Sequence, residues 1–422
     1  MSSNGSSAPR SMDTAKRRAV AITGLGVVSS IGTGADEFLD GLRTGQMGAS
    51  PIELFDTGGF EHSQGGEVHG FEPEHWVDEL PISTLGRATQ FAIAASKMAV
   101  ADARIGIDGM RSAKSLVCVG TTDGESRDLD TLVAQEVENG WHAMSPDVAS
   151  RVSAGRLSTG VAREFGLSDV EAVTLPTACA AGNYAIGYGY DAVSNGDVDY
   201  ALVGGADAFC RKTFSGFYRL GTIAPERCQP FDINRKGILT GEGSGMLVLE
   251  DLERARARGA RVYALVLGYG LTCDALHPVA PDRDSVARCM QKAQRSADVV
   301  AGDVDYISAH GTGTRANDVT EVAAIRKVFG EAPPRTVSIK SMLGHTMGAA
   351  SALAAVGCAL SITYDFIPPT INHEETDPEC QVDCVPNRSI DTPVQLVQNN
   401  GLAFGGNNAV VIFGDDKVYG AR

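Results

Sequence analysis

One cysteine of the chain stands where an extended segment gives way to a helix. Cys179 lies in "TLPTACAAGNYAIG", after Pro176 and before a predicted helix, and its neighbours are small. At the first turn of a helix, unpaired backbone N–H groups and the helix dipole favour negative charge, which lowers the pKa of a thiol. Small neighbours would leave the sulfur accessible. The stretch predicts a nucleophilic thiol, and a small cysteine buried in the core fits it equally well.

Two histidines follow the ends of predicted strands. His310 comes after the apolar "VDYISA" and opens "HGTGTRANDVTE", and His345 lies beside Gly344 in "SIKSMLGHTMGAAS". Catalytic side chains of sheet proteins gather at strand ends. A single histidine in such a loop is more often structural. Two of them together with Cys179 favour nucleophilic catalysis.

Lys340 stands five residues before His345 in an otherwise uncharged stretch. A cation in such surroundings needs an anionic partner, and Glu321 or Asp318 could supply it. The alternative for these two acids is that they simply complement a helix N-terminus. The sequence leaves both interpretations open.

Glycines cluster at both ends of the chain. In "NNGLAFGGNNAVVIFG" they would let backbone N–H groups point at an oxyanion, although a turn before a strand explains the cluster as well. Gly24 and Gly26 lack the third glycine of a dinucleotide-binding fingerprint, since position 29 is Ser. A simple turn after a buried strand is the better prediction there.

Composition restricts the class of protein. The 422 residues carry a net charge of −16 with no basic run, which argues against nucleic-acid binding. Nine cysteines, an odd number without a C-x-x-C pair, favour free thiols in a reducing compartment, so we expect a cytoplasmic protein. Cys380 and Cys384 lack the second pair of a zinc site and are expected to be loop thiols. No metal site is predicted.

Two apolar segments could be mistaken for membrane signals. The "KRR" at 16–18 precedes an apolar run, but three glycines and the preceding 15 residues favour a buried strand over a signal peptide. Residues 341–364 carry no charged side chain, yet they are rich in Ala, Gly and Ser. A helix in a tightly packed core fits them better than a membrane span, and no membrane partner is expected.

Continuous apolar runs alternate with helical patterns along the chain. Runs such as "KSLVCVGTT" and "GMLVLEDL" are typical of strands buried on both faces, and the stretches between them predict covering helices. "AVAITGLGVVSS" and "YALVLGYGLTCD" each combine a strand with Gly-x-Gly and precede similar elements. This match predicts an α/β protein of two similar units with a boundary near residue 260.

Six motifs, in order, resemble one family: "TACAAG", "GGADAF", "PFDINRKGILTGEGSG", "AHGTGT", "SIKSMLGHTMGAAS" and "GLAFGGNN". From about residue 19 to the last strand, the chain resembles the elongating, Cys-His-His β-ketoacyl-acyl carrier protein synthases of the thiolase superfamily. The resemblance implies an α/β thiolase-like fold of two similar βαβαβαββ halves in α-β-α-β-α layers. We divide the chain into a disordered tail (1–18), a half with the cysteine (19–260), a half with both histidines (261–416) and a tail (417–422).

The resemblance implies a decarboxylative Claisen condensation. Cys179 would hold the acyl chain, and His310 and His345 would stabilise the enolate of malonyl-carrier thioester. The remaining implied roles are an oxyanion hole of the Cys179 and Phe404 amides, pantetheine binding by Thr312 and Thr314, and a supporting ion pair of Lys340 with Glu321. No metal or organic cofactor is implied, because the carrier protein brings the phosphopantetheine.

The resemblance also implies partners. These are an acyl carrier protein with its acyl and malonyl thioesters, and a second copy or a paralogous subunit in a dimer. Because the carrier is usually acidic, we expect a basic patch, for which Arg211, Lys212 and Arg219 are candidates. A chain-length-factor-like partner subunit and a non-catalytic carrier-binding scaffold are the alternatives. Retention of the cysteine and both histidines argues against these, and the lack of a second loop cysteine argues against a thiolase acting on CoA esters.

Two positions depart from the family. Leu402 replaces a bulky Phe that gates the acyl pocket, and Lys236 replaces the acid of Arg-Asp-Gly in Arg235–Gly237. Both leave gating and acyl preference open. They fit a polyketide or secondary-metabolite synthase at least as well as a fatty-acid enzyme.

Overall fold

The computed structural model describes residues 17–420, so most of the predicted N-terminal tail lies outside the described residues. The strands are β1 (Val20–Ser29), β2 (Gly32–Thr33), β3 (Ser50–Pro51), β4 (Gln64–Gly65), β5 (Ser115–Gly120), β6 (Val170–Leu175), β7 (Tyr200–Asp207), β8 (Gly243–Asp251), β9 (Ala264–Cys273), β10 (Tyr306–Ser308), β11 (Arg335–Val337), β12 (Phe366–Ile367), β13 (Ile390–Asp391), β14 (Leu396–Leu402) and β15 (Asn407–Gly414).

The α-helices are α1 (Ala35–Thr44), α2 (Arg87–Asp102), α3 (Gly106–Arg111), α4 (Ser126–Asn139), α5 (Pro146–Ala149), α6 (Arg156–Glu164), α7 (Ala181–Ser194), α8 (Arg211–Arg219), α9 (Leu252–Ala257), α10 (Arg283–Ser296), α11 (Arg315–Phe329), α12 (Lys340–Leu343), α13 (Ala350–Tyr364) and α14 (Asp416–Tyr419).

The main sheet confirms the internal duplication. Its order is β11-β10-β14-β15-β9-β1-β8-β7-β5-β6, with β2 added beside β1. Read outwards from the centre, β1-β8-β7-β5-β6 and β9-β15-β14-β10-β11 have the same topology. The halves join where β1 pairs antiparallel with β9 over Val20–Ile22 and Ala264–Val266. The layered α/β prediction is therefore correct.

The helices form the remaining layers. On the outside, α2 packs on β1 and β8, and α10 packs on β9 and β15, while α7 and α13 lie between the two halves. The segment Met347–Tyr364 is apolar enough to cross a membrane, but 89% of it is buried inside the protein. The prediction of a core helix in residues 341–364 is confirmed for α13, with the short α12 ahead of it.

Gly24 and Gly26 do not form the predicted turn. Strand β1 continues through both glycines to Ser29. A Cβ at Gly24 would lie 2.1 Å from the Ala99 carbonyl oxygen, and one at Gly26 would lie 1.8 Å from the Ala95 oxygen. These glycines let the backbone of α2 rest directly on the strand, which is the other common use of glycine in a sheet.

Both chain ends and one strand differ from prediction. Arg18, placed in the tail, donates its N–H to the Ser194 carbonyl at 2.9 Å. Residues 417–419, also placed in a tail, belong to α14, where Tyr419 is buried. "NNGL", expected to form a turn, is the end of β14, which pairs with β15 through Leu402↔Asn408.

Candidate active site

Cys179 lies in a single 3₁₀ turn, Ala178–Ala180, between β6 and α7. The preceding Ala178 has φ 51, a left-handed conformation that is strained for a residue with a Cβ and that clusters at functional sites. The small residues after the cysteine serve helix packing, since a Cβ at Gly182 would lie 2.5 Å from the backbone N of Ala352. Close contact of α7 with α13 thus sets the depth of the thiol.

The structure brings the three predicted reactive groups together. The Cys179 sulfur and one ring nitrogen each of His310 and His345 all lie within 4.8 Å of one another. The two imidazole rings are 5.4 Å apart at an angle of 81°. His310 follows β10, and His345 follows α12, the short helix after β11. Both histidines therefore lie near the C-terminal ends of strands in the second half of the chain.

The electrostatics of Cys179 differ from the sequence-based expectation. Burial raises the pKa of the thiol to about 12, and the positive charge of Lys340 opposes that rise only in part. Desolvation therefore outweighs the helix N-terminus, and the resting sulfur carries its proton. A base must remove the proton when the sulfur attacks.

Both histidines are neutral. Burial, the dominant cause, and the nearby Lys340 hold the pKa of His310 and of His345 well below the usual value. The Met347 backbone N–H donates to Nδ1 of His345 at 3.1 Å. Since Nδ1 accepts, the proton of that neutral ring sits on Nε2, which is left as a hydrogen-bond donor.

Glu321 binds the backbone of the loop that carries His310 and does not form a direct ion pair with Lys340. Its carboxylate accepts the backbone N–H of His310 and of Gly311, each at 2.8 Å, and the side-chain amide of Asn400 at 3.0 Å. Within residues 17–420, Lys340 and Glu321 form no hydrogen bond or ion pair. The Glu321 charge still acts on buried Lys340, opposing the desolvation that lowers the pKa of the ammonium.

Asp318, the other candidate partner of Lys340, links the loop that carries Thr312 and Thr314 to the segment after Phe231. It accepts the N–H groups of Thr312 and Phe231, both at 3.0 Å, and its Oδ2 lies 3.5 Å from Nε of Arg235. Thr312 and Thr314 share a hydroxyl hydrogen bond of 2.9 Å. Thr314 also caps α11, which fixes the loop at the helix start.

A cavity of about 100 Å³ opens onto the reactive groups. All the predicted substrate-binding positions line it together with mostly apolar neighbours: Cys179, Phe217, Thr222, Ile238, Val279, Pro281, His310, Thr312, Thr314, Ala316, Asn317, His345, Leu402, Ala403 and Phe404. Cys179 and Phe404, whose amides are the predicted oxyanion hole, thus line the same cavity. Gly405, after Phe404, has φ 82, which glycine adopts without strain.

Two residues at the site were not singled out from the sequence. Phe217 of α8 packs its ring 5.4 Å from that of Phe404 and narrows the cavity. Asp207, at the end of β7, accepts the N–H of Gly348 at 2.6 Å and of Thr122 at 2.8 Å, and so joins the His345 loop to the loop after β5. Burial, with Asp123 nearby, raises the pKa of Asp207 to about 7. Its place in "GGADAF" at a strand end was the available signal.

The three residues of the predicted basic patch lie on α8, and two of them already contact other side chains. Lys212 is paired with Asp123 at 2.6 Å, and the Arg211 guanidinium lies over the Phe60 ring. Arg219 is exposed at the end of the helix.

Sulfur and imidazole are also zinc ligands, but the charge of Lys340 acts on all three reactive groups and opposes a bound cation.

A buried thiol between two neutral imidazoles, in a duplicated α/β fold, is an arrangement suited to an enzyme that transfers acyl groups through a thioester. Two family models match the chain, "Beta-ketoacyl synthase, N-terminal domain" over residues 17–255 and "Beta-ketoacyl synthase, C-terminal domain" over residues 263–374. The chain therefore belongs to the β-ketoacyl synthase family. The predicted boundary at residue 260 falls between the two matched ranges.

Individual relatives agree with this assignment. The chain is 35% identical over 408 residues to "3-oxoacyl-[acyl-carrier-protein] synthase 2" of Staphylococcus aureus (strain N315), covering 94% of this chain and 98% of the relative. A chain of "The ishigamide ketosynthase/chain length factor" superposes with a TM-score of 0.94 at 57% identity, covering 94% and 99%. A type II PKS ketosynthase solved with its acyl-carrier protein and "bound to the hexaketide" gives 0.87 at 29% identity, covering 94% and 100%.

Proposed function

We propose that this protein is a β-ketoacyl-acyl carrier protein synthase that extends an acyl chain by decarboxylative condensation with malonyl-carrier thioester. The observation that carries the proposal is the meeting of the Cys179 sulfur with the His310 and His345 nitrogens within 4.8 Å. The reaction needs no separate cofactor, because the carrier brings its own phosphopantetheine. Similarity to a ketosynthase/chain length factor structure at 57% identity favours polyketide-type elongation.

In the first half-reaction, the Cys179 sulfur attacks the acyl-carrier thioester. Because the resting thiol is protonated, the neutral ring of His310 accepts its proton as the new C–S bond forms. The amides of Cys179 and Phe404 stabilise the tetrahedral oxyanion. The carrier thiolate then leaves and takes up a proton, so an acyl-enzyme and a free carrier thiol result.

In the second half-reaction, malonyl-carrier thioester enters past Thr312 and Thr314. Its C–C bond to the carboxylate breaks, CO2 leaves, and the electron pair forms an enolate whose oxygen accepts a hydrogen bond from Nε2–H of His345. The enolate carbon attacks the acyl group on Cys179. The β-ketoacyl-carrier product forms, and the Cys179 thiolate leaves and is protonated. Lys340 and Glu321 position this machinery through charge and through the His310 loop.

The protein is proposed to act in the cytoplasm as a dimer, with itself or with a paralogous subunit. A non-catalytic partner-subunit role is the alternative, and the intact set of Cys179, His310 and His345 counts against it. The division of the chain into two halves at residue 260 and carrier docking near α8 belong to this proposal. Lys212 is paired with Asp123, so Arg211 and Arg219 are the cations of α8 that remain available to the carrier.

The test is intact-protein mass spectrometry with a panel of acyl-carrier thioesters. We expect wild-type protein to gain the mass of one acyl group, and Cys179→Ala to gain none and to lose condensation. Cys273→Ser, a change of an exposed cysteine, serves as the matched control and should be acylated normally. Elongation by Cys179→Ala at the wild-type rate would show that the assignment is wrong.

A further inference from the structure

The segment that carries Lys236 is held firmly on both sides of that residue. The side chain of Arg235 is almost fully buried, and it reaches Asp377 at 2.6 Å and donates to the Asp232 carbonyl at 2.7 Å. Gly237 donates its N–H to the Gly313 carbonyl at 3.0 Å and has φ 129. A Cβ at Gly237 would lie 2.0 Å from the Thr222 oxygen. The backbone at Lys236 therefore has little freedom to move.

Backbone hydrogen bonds join the segment that carries Lys236 to the wall of the active-site cavity. Gly313, the partner of Gly237, lies between Thr312 and Thr314, which line that cavity. Ile238 also lines it and donates its N–H to the Thr222 carbonyl at 2.7 Å. The segment around Lys236 thus forms part of the rim next to the two threonines.

The Lys236 ammonium itself is free. Lys236 is exposed, and no ion pair or hydrogen bond of its side chain occurs in the described part of the chain. Nearby cations are already compensated, Arg227 by Glu374 and Arg315 by Glu379. In a protein of net charge −16, an uncompensated cation at this rim attracts an anion that arrives there.

A second, polar cavity borders the same segment. It measures about 310 Å³ and is lined by Pro225, Glu226, Arg227, Gln229, Asn234 and Lys236. Ala224, just before this lining, donates its N–H to the Ile238 carbonyl at 2.7 Å, so one paired segment separates the polar cavity from the reactive one.

We propose that Lys236 recognises the phosphodiester of the carrier's phosphopantetheine arm at the rim of the active-site cavity. The proposal rests on the proposed function and names a specificity contact of the same site. With the thioester at Cys179 and the arm passing Thr312 and Thr314, the phosphodiester lies towards the surface, where the free ammonium stands. A lysine serves phosphate as a point charge, and an acid at this position would repel it.

The test compares matched thioesters of one acyl group on pantetheine, on phosphopantetheine and on the holo-carrier protein, with Cys179 acylation followed by intact mass. For Lys236→Ala we expect KM to rise about tenfold for the phosphopantetheine and carrier thioesters, the order of one charge-assisted hydrogen bond, and to stay at the wild-type value for the pantetheine thioester. Lys236→Asp should raise the first two further. Lys417→Ala, on α14, is the control and should match wild type on all three.

The outcomes separate the alternatives. A rise in KM confined to the carrier-bound substrate would place the contact on acidic side chains of the carrier and overturn the phosphodiester proposal. Equal KM values for wild type and both Lys236 variants on every substrate would also overturn it. If wild-type protein were acylated by none of the three thioesters, the proposed function itself would fail, which is distinct from failure at Lys236.

Discussion

At the scale of single residues, the buried state of the Cys179 thiol has a measurable consequence. With its pKa raised to about 12 by burial, the thiol is almost wholly protonated at neutral pH, and thiolate appears only as pH rises. In a Cys273→Ser background, alkylation of Cys179 by iodoacetamide should accelerate about tenfold per pH unit from pH 7 to 9.5. Lys340→Met should slow it, because that charge favours the thiolate. A plateau below pH 9 would contradict this account.

The tautomer of His345 separates the two half-reactions. Since Nε2–H is the donor to the enolate oxygen, His345→Ala should lower release of labelled CO2 from malonyl-carrier thioester by about 10²–10³-fold, the usual cost of one oxyanion donor. Acylation of Cys179 should persist, because it does not use this donor. His75→Ala, an exposed histidine, is the control. Undiminished CO2 release would remove this role from His345.

The reactive residues could be found from sequence, but their electrostatics could not. Cys179, His310 and His345 were identified from their neighbours and from the family motifs. The thiol pKa was predicted to fall because the helix start is visible in sequence, whereas the burial that raises it comes from α13 packing on α7. The sequence also left open whether Glu321 or Asp318 compensates Lys340, because it does not show that Glu321 accepts the backbone N–H of His310 while acting on Lys340 through its charge.

At the scale of elements, glycine placement decides how closely layers approach. Gly26→Ala would place a Cβ 1.8 Å from the carbonyl oxygen of Ala95, and the nearest atoms are all backbone of α2, which has little room to adjust. We expect it to lower the free energy of unfolding by about 3 kcal/mol or more in urea titrations. The matched control is Gly216→Ala on α8, where a new Cβ meets nothing within 4 Å and should be neutral or slightly stabilising. Equal stability of the two variants would contradict this packing role.

The sequence predicted strands correctly where both faces are buried along the whole strand. It failed where contacts with distant residues determine the element. Strands such as β5 and β8 read directly as apolar runs, because both faces are covered. Strand β14 was missed because its end carries Asn399 and Asn400. Their side-chain N–H groups donate to Asn183, the Ser351 carbonyl and Glu321, contacts that only the assembled fold supplies. The turn expected at Gly24 and Gly26 failed for the same reason.

At the scale of the whole molecule, the two ends of the main sheet differ. The last strand of one end, β11, is covered, since Thr336 donates its N–H to the Asp383 carbonyl at 2.9 Å. The other end, β6, has six residues, and its outer edge carries no strand within residues 17–420. An uncovered edge of this length invites pairing with another chain. The proposed dimer is therefore expected to form through β6.

Tyr188 offers a way to test that interface without disturbing the core. It is exposed on α7 and its hydroxyl donates to Glu171 of β6 at 2.5 Å, so it marks the free edge. We expect Tyr188→Glu to convert the dimer to a monomer in light scattering after gel filtration, with little change in melting temperature. The reason is that the new carboxylate would lie beside that of Glu171 at the proposed interface. Val300→Glu, at an exposed apolar position of the second half, should remain dimeric. A Tyr188→Glu protein that stays dimeric would place the interface elsewhere.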